Sequence, residues 1–190
     1  KISLLVLTVG LLSGPTFADT VAGVKVDETA QVGTHSLKLN GAGVRYKAFF
    51  KVYVAALYLP TPKTTTAEVL ALAGAKRVTL TMLREMSNDD LGERFLEGLR
   101  NNLDVAERTD LYNGMFSFGR MFSLVPRLKK GDVLTFDWVP GTGVVCQFND
   151  KKIGDTINDP KFYNAVLKIW LGNKPADETL KQKLLDDKVE

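Results

Sequence analysis

Few side chains in this sequence have the types or the spacing that catalysis or metal binding requires. The chain contains one cysteine, Cys146, and one histidine, His35. This excludes a zinc site built from cysteine and histidine, and also an intrachain disulfide. A catalytic pair of serine or cysteine with histidine would have to use His35, which lies in a polar, loop-like stretch. Asp89 and Asp90 stand at a predicted helix start, where capping is a commoner role than acid-base catalysis.

Other patterns exclude several classes of ligand. The segment Gly41-Ala42-Gly43 is too short for a phosphate-binding loop, and the chain has no GxGxxG or P-loop motif. Lysine and arginine number 25 against 22 aspartates and glutamates, a net charge of +3. Such a small excess does not indicate the basic surface that nucleic-acid binding needs. We therefore expect no cofactor, no metal and no nucleic-acid partner.

Arg45 is the cation whose surroundings suggest ligand binding. It stands between residues 40–43, whose Asn-Gly-Ala-Gly sequence predicts a turn, and a strongly apolar predicted strand. A guanidinium at the mouth or base of an apolar pocket would hold a carboxylate, or polarise a carbonyl, through its fork of donors. The alternative is a surface arginine at the start of a strand. The residue pattern leaves both interpretations open.

Residues 1–18 have the pattern of a secretory signal peptide. Lys1 leads into an apolar run from Leu4 to Leu12, and cleavage is predicted after Ala18. The run is too short to span a bilayer as a helix, and a buried N-terminal strand is the alternative. The signal-peptide interpretation predicts a mature chain of residues 19–190 that is periplasmic or secreted and has no transmembrane segment.

The elements that must position these residues are a mixture of strands and helices. With 190 residues, 45% hydrophobic and 25% charged, the chain suits one domain at 19–190. Period-two patterns predict strands, and apolar residues three or four apart predict helices. The strands are predicted at 20–26, 36–39, 49–59, 76–84, 133–139, 144–148 and about 152–154, and the helices at 66–73, 87–103, 113–124, 162–170 and from 177. Strands clustered with inserted helices predict an α+β domain, an antiparallel sheet with helices on one face.

Four segments resemble the chalcone isomerase-like family, and the second and third of them resemble its bacterial branch. They are Gly41-Ala42-Gly43-Val44-Arg45 with the strand at 49–59, residues 76–80 with 83–87, residues 95–102, and residues 165–175. Their order and spacing cover most of the chain after residue 20. The resemblance implies an open-faced β-sandwich, in which helices cover one face of a large antiparallel sheet. This agrees with the arrangement predicted from the periodicity.

The resemblance also implies a substrate cleft whose polar residues are mostly replaced in this sequence. Plant enzymes of the family cyclise chalcones with an arginine, a threonine, a tyrosine, an asparagine and a late threonine or serine. Arg45 matches the arginine. The other four positions, in that order, are occupied by Tyr53, Leu91, Gly98 and Ile169. Losing one preorganised donor costs on the order of 100-fold in rate, so we expect little isomerase activity and assign no catalytic residue.

The first functional hypothesis follows from what remains of that cleft. An arginine beside an apolar cleft resembles the family's fatty-acid-binding members. The resemblance implies a non-catalytic protein that binds a fatty acid or a similar hydrophobic anion, and the signal-peptide pattern predicts that it is exported. Arg45 would anchor the anion, Tyr53 could supply a hydroxyl, and the other three aligned positions would line the cleft.

Two alternatives remain open. The chain could be an accessory or interaction module without a ligand, in which Tyr53, Leu91 and Phe95 fill the cleft. It could also be an isomerase or lyase that acts on another substrate. The acid-base group of such an enzyme would have to be Tyr53, His35 or a carboxylate such as Glu85.

Overall fold

The large sheet has seven antiparallel strands that follow one another in chain order. The computed structural model describes residues 19–185, and the predicted signal peptide at 1–18 lies outside them. A two-stranded hairpin consists of β1 (Asp19–Val21) and β2 (Val24–Val26). The large sheet consists of β3 (Thr29–Val32), β4 (His35–Lys47), β5 (Phe50–Leu59), β6 (Lys76–Met82), β7 (Val133–Val139), β8 (Gly143–Phe148) and β9 (Lys151–Ile157). This confirms the predicted antiparallel sheet.

The helices of the described segment pack on one face of that sheet. They are α1 (Thr66–Ala71), α2 (Asn88–Asn102), α3 (Val105–Asp110), α4 (Tyr112–Phe122), α5 (Pro160–Leu171) and α6 (Glu178–Leu185). In β6, Val78, Leu80 and Met82 are buried and alternate with half-buried neighbours, as the period-two pattern predicts. The predicted α+β open-faced sandwich is confirmed. Within residues 19–185, no helix is long and apolar enough to cross a membrane.

An aromatic cluster joins the helices to the sheet. The ring of Phe95, on α2, lies with its centroid 5.2 to 6.1 Å from the rings of Phe118, Phe122, Phe136 and Trp170. These rings come from α2, α4, β7 and α5 and are all 2% exposed or less. Burial of large rings at these distances makes the cluster a major source of packing energy. It fixes α2 and α5 over the sheet.

The turn predicted at residues 40–43 is wrong, because β4 continues straight through them. A Cβ atom on Gly41 would lie 2.2 Å from the backbone oxygen of Lys183 in α6. A Cβ atom on Gly43 would lie 2.8 Å from the Cβ atom of Lys183. The two glycines therefore allow α6 to lie directly on the strand, and any side chain at these positions would push it away. The short predicted strand at 36–39 is part of the same long strand.

Asn40 ties the irregular part of β4 to its surroundings. The pairing of β4 with β5 shifts register between Leu39 and Gly41. The Asn40 amide donates hydrogen bonds to the backbone oxygens of Lys63 and Leu184, at 2.9 and 2.7 Å, and accepts one from the Lys63 N–H at 2.7 Å. A buried amide with these partners stabilises both the bulge and the end of α6.

Two further predictions need correction. The single strand predicted at 20–26 is the β1–β2 hairpin, since Ala22 and Gly23 have φ angles of 50° and 81° and reverse the chain. Helix α3 is absent from the prediction. It is six residues long and has no buried residue, so it leaves no apolar periodicity. Its sequence signal is the capping box that Asp104 and Glu107 form.

Candidate functional site

Arg45 and Tyr53 lie opposite each other on neighbouring strands. They are paired in the β4–β5 register, and a shift follows between Arg45 and Tyr46. The next pair is Tyr46 with Lys51, so Val52 is the extra residue of a β-bulge. Val52 and Tyr53 are both 2% exposed and both belong to the core on the helical face. The bulge therefore directs two consecutive side chains to the same side, which a regular strand cannot do.

A cavity of about 250 Å³ lies between this part of the sheet and helices α2 and α5. All five residues that the family resemblance singled out line this cavity. They are Arg45, Tyr53, Leu91, Gly98 and Ile169. The structure thus brings together positions that are 124 residues apart in the chain, from 45 to 169.

The inner wall of the cavity is apolar. Leu91, Phe95 and Ile169 are each 2% exposed or less. Gly98 packs closely against Ile169, since a Cβ atom on Gly98 would lie 3.1 Å from the Ile169 Cγ2 atom. None of these four side chains can form a hydrogen bond. The wall therefore suits a hydrocarbon group and offers no hydrogen-bonding network to a polar reaction centre.

The hydroxyl of Tyr53 is already part of one buried hydrogen bond. The indole Nε1–H of Trp170 donates to the Tyr53 hydroxyl oxygen at 2.9 Å. Because an indole is only a donor, the Tyr53 oxygen is the acceptor, and the tyrosine keeps its own proton to donate. Burial raises the pKa of Tyr53 to about 12, an effect that the positive charge of Arg45 partly opposes. Tyr53 is therefore a neutral donor near pH 7 and not a general base.

The Arg45 guanidinium faces the cavity without a carboxylate partner. It is half-buried, and its Cζ atom lies 5.8 Å from the centroid of the Tyr53 ring. No ion pair or hydrogen bond involves this guanidinium within residues 19–185. Asp177 lies nearby, but its carboxylate accepts the backbone N–H groups of Tyr46 and Leu180, each at 3.0 Å. Asp177 thus holds the start of α6 against β4.

The rim of the cavity is predominantly basic. Lys47, Arg94 and Lys174 line the cavity together with Arg45, and Glu97 is the acidic residue among the lining side chains. Glu97 pairs with Arg94 at 3.2 Å, and both side chains are about half exposed. Sequence reasoning missed these rim residues. One available signal was that no aspartate or glutamate occurs between residues 29 and 67.

Asn102 fixes the part of the rim that follows α5. Its amide nitrogen donates to the backbone oxygens of Gly98 and Lys174, at 2.9 and 2.8 Å. Its amide oxygen accepts the Lys174 N–H at 2.8 Å. These bonds tie the end of α2 to the chain after α5. The rim is therefore held by the same helix that carries Leu91 and Gly98.

The other residues considered for acid-base chemistry do not line the cavity. His35 is exposed at the start of β4, and Glu85 forms an exposed ion pair with Arg127. Cys146 lies in the core, where burial raises the pKa of its thiol well above the usual value. Tyr53 is therefore the one member of that group at the cavity.

A larger cavity, of about 440 Å³, lies beside α3 and α5 and differs in its charges. Its charged residues include Glu107 and Lys168, which pair with each other at 2.8 Å. The hydrogen bond from Lys168 lowers the pKa of Glu107. Because Lys168 is already paired with Glu107, it offers less attraction to an anion than Arg45 does.

The arrangement defines a chalcone isomerase-like fold with an apolar cleft beside an arginine. The family model described as chalcone isomerase-like matches residues 18–186, so the chain belongs to the chalcone isomerase-like family. Among curated proteins, none matches the chain significantly. One similar solved structure is a fatty-acid binding protein of Arabidopsis thaliana, with a TM-score of 0.66 and 14% identity. The alignment covers 87% of this chain and 93% of that one, and at this identity it shows a common fold.

Proposed function

We propose that this protein binds a fatty acid or a similar amphiphilic anion and performs no catalysis. The observation that carries the proposal is the half-buried Arg45 guanidinium, which has no carboxylate partner in the described structure and lies at an apolar cavity. A carboxylate between Arg45 and the Tyr53 hydroxyl would receive charge-assisted hydrogen bonds from both. The hydrocarbon chain would then contact Leu91 and Ile169.

Three further findings support the proposal. The basic rim provides Lys47, Arg94 and Lys174 against Glu97, which favours the approach of an anion. By the family resemblance, three of the five positions that carry polar groups in the plant enzymes hold Leu91, Gly98 and Ile169, and the remaining hydroxyl, on Tyr53, is not a base. A structure with the same fold is that of a protein described as fatty-acid binding.

The test is native mass spectrometry of the purified protein, followed by solvent extraction and incubation with fatty acids of different lengths. We expect a discrete adduct. Arg45→Ala should weaken its affinity about 10- to 150-fold, the range of a hydrogen bond to a charged group. Arg100→Ala is the matched control, because Arg100 is an exposed arginine of the same helix as Leu91 and does not line the cavity. Equal affinities for the parent and Arg45→Ala would contradict the anchor role.

A ligand-free interaction module is the second candidate, and the size of the cavity favours it. The volume of about 250 Å³ is slightly below the ~300–1,000 Å³ of typical ligand sites. Tyr53, Leu91 and Phe95 line the cavity and are each only 2% exposed. A protein that carries no extractable lipid, and stays free of adducts after incubation with fatty acids, would favour this function.

We also propose that the protein is exported, on the sequence pattern of residues 1–18. This pattern favours a periplasmic or secreted location. Expression of the chain in a bacterial host, followed by fractionation and intact-mass measurement, tests this. We expect the periplasmic fraction to contain a product that begins at Asp19. An uncleaved product that stays in the cytoplasm would refute export.

A further inference from the structure

The loop that joins β4 to β5 exposes two aromatic rings. Phe49 is 81% exposed and Phe50 is 49% exposed, and their ring centroids lie 4.2 Å apart. The loop contains only Ala48 and Phe49, and Ala48 has a φ of 53°, in the left-handed region that alanine rarely adopts. This tight reversal holds both rings at the end of the hairpin. We call residues 46–51 the hairpin tip.

The hairpin tip is basic as well as aromatic. Lys47 and Lys51 are exposed, and the Arg84 guanidinium lies 4.9 Å from the centroid of the Phe50 ring. Residues 29–67, which include the tip, contain five lysines and arginines but no aspartate or glutamate. An exposed apolar feature surrounded by cations is complementary to an anionic surface with an apolar interior.

Within residues 19–185, Lys47, Lys51 and Arg84 form no ion pair with a carboxylate. Glu85, next to Arg84, pairs with Arg127. Asp177 accepts backbone N–H groups, one of them from Tyr46 in the tip. The cations of the tip are therefore available to an external partner.

We propose that the hairpin tip docks on an anionic lipid bilayer. Phe49 and Phe50 insert at the level of the headgroups, where aromatic rings are favoured. Lys47, Lys51 and Arg84 then contact lipid phosphates. Each basic residue near such a surface adds attraction that salt screens.

The area of the tip favours a bilayer over a folded protein as the partner. A phenylalanine buries about 150–250 Å² at most, so two of them provide no more than about 500 Å². A stable protein interface buries about 800 Å² on each partner. A small convex wedge that is ringed by cations fits deformable lipid better than a rigid partner surface.

Docking in this orientation would bring the cavity close to the membrane. Arg45 and Lys47 line the cavity and lie on the same hairpin as the tip. Arg45 is four residues before Phe49, about 13 Å along an extended strand. The membrane is where amphiphilic anions accumulate. Docking itself depends only on the exposure and charge of the tip and does not require the proposed ligand.

The test is flotation of the purified protein with lipid vesicles. We expect binding to vesicles of equal parts phosphatidylcholine and phosphatidylglycerol, weaker binding in high salt, and little binding to phosphatidylcholine alone. Phe49→Ser and Phe50→Ser should each reduce partitioning on the order of tenfold. Lys51→Gln and Arg84→Gln, which lie outside the cavity lining, should each reduce it about fivefold. All variants keep the same residues 1–18, so differences between them report on the tip.

The matched control is an exposed aromatic pair on α4. Tyr112 and Phe116 are 65% and 56% exposed, with ring centroids 6.5 Å apart. Tyr112→Ser with Phe116→Ser should leave vesicle binding unchanged, and circular dichroism should show that every variant is folded. Equal losses of vesicle binding in this control and in the Phe49→Ser and Phe50→Ser variants would overturn the proposal. Unchanged vesicle binding after substitution of Phe49 and Phe50 would also overturn the proposal. This includes the outcome in which the substitutions dissociate a dimer and leave vesicle binding unchanged.

The experiment separates docking from fatty-acid binding. Without vesicles, the variant Phe49→Ser with Phe50→Ser should bind fatty acid as the parent does, because neither ring lines the cavity. Vesicle binding by a protein that takes no fatty acid would support docking and refute the proposed ligand. Fatty-acid binding by a protein that does not bind anionic vesicles would support the proposed ligand and refute docking.

Discussion

Replacement of Tyr53 by phenylalanine removes the hydroxyl that accepts the Trp170 indole N–H at 2.9 Å. The ring itself would remain, so packing in the core and the contact with Arg45 should change little. A buried donor without its acceptor costs about 1–3 kcal/mol. Both residues are 2% exposed or less, so water cannot replace the hydroxyl without a rearrangement. We expect urea denaturation at pH 8 to show a loss of unfolding free energy in this range.

The same substitution has a defined dependence on pH. Burial raises the pKa of Tyr53 from 10.0 to about 12, so the unfolded chain releases this proton before the folded chain does. The stability that Tyr53 contributes is complete below pH 10 and is lost as the pH rises towards 12. At pH 11 the loss is about 1.4 kcal/mol relative to pH 8. The advantage of the parent over Tyr53→Phe should therefore shrink by about that amount.

A double-mutant cycle with Trp170→Phe isolates the hydrogen bond. If the two groups interact as described, the double variant should be about 0.5–1.5 kcal/mol more stable than the sum of the single losses predicts. Strict additivity would refute the assigned bond. A difference between the parent and Tyr53→Phe that does not change between pH 8 and 11 would refute the reasoning about the raised pKa.

Three further substitutions test the packing of the fold and a buried ion pair by urea denaturation. Gly41→Ala would place a methyl group 2.2 Å from the Lys183 backbone oxygen and should cost about 1–3 kcal/mol or more. Gly119→Ala, whose Cβ atom would meet only a flexible side chain at 3.3 Å, should be close to neutral. Arg77→Gln removes the two hydrogen bonds, at 2.7 and 2.6 Å, that Arg77 donates to the buried Asp137 carboxylate, and should cost about 3–5 kcal/mol at pH 7. Burial already raises the pKa of Asp137, and loss of the arginine raises it further. The loss of unfolding free energy should therefore be smaller at pH 4 than at pH 7. An equal loss at the two pH values would contradict this reasoning.

Local sequence patterns predicted most of the strands and helices, because the buried side chains recur at a regular spacing within each of them. The alternation in β6 and the spacing of Leu91, Phe95 and Leu99 in α2 both depend on which side of the element is buried. The helix cap at Ser87, which accepts the Asp90 N–H, is a signal of the same local kind. Such features need no knowledge of the partner element. The family motifs then placed the five predicted site residues around one cavity.

The missed features at the cavity and under α6 depend on contacts between distant parts of the chain. Gly41 predicts a turn in isolation, and only the position of Lys183 in α6 shows that the glycine makes room for a helix. The bulge at Val52 has no sequence signal, yet it directs Tyr53 towards Trp170. Because the Trp170 indole donates to the Tyr53 hydroxyl oxygen, the Tyr53 hydroxyl proton remains available to a ligand.

The sequence by itself determined the fold class, the apolar replacements in the cleft and the presence of Arg45. The fold class follows from short-range periodicity, and the apolar replacements and Arg45 follow from the residue types at positions that the family resemblance marks. The tertiary structure decided that Arg45 lacks a carboxylate partner within residues 19–185, because Asp177 is engaged by backbone N–H groups. It also decided that the rings of Phe49 and Phe50 are exposed beside cations. Pairing and exposure are properties of assembled surfaces, so they arise only when the strands and helices have packed together.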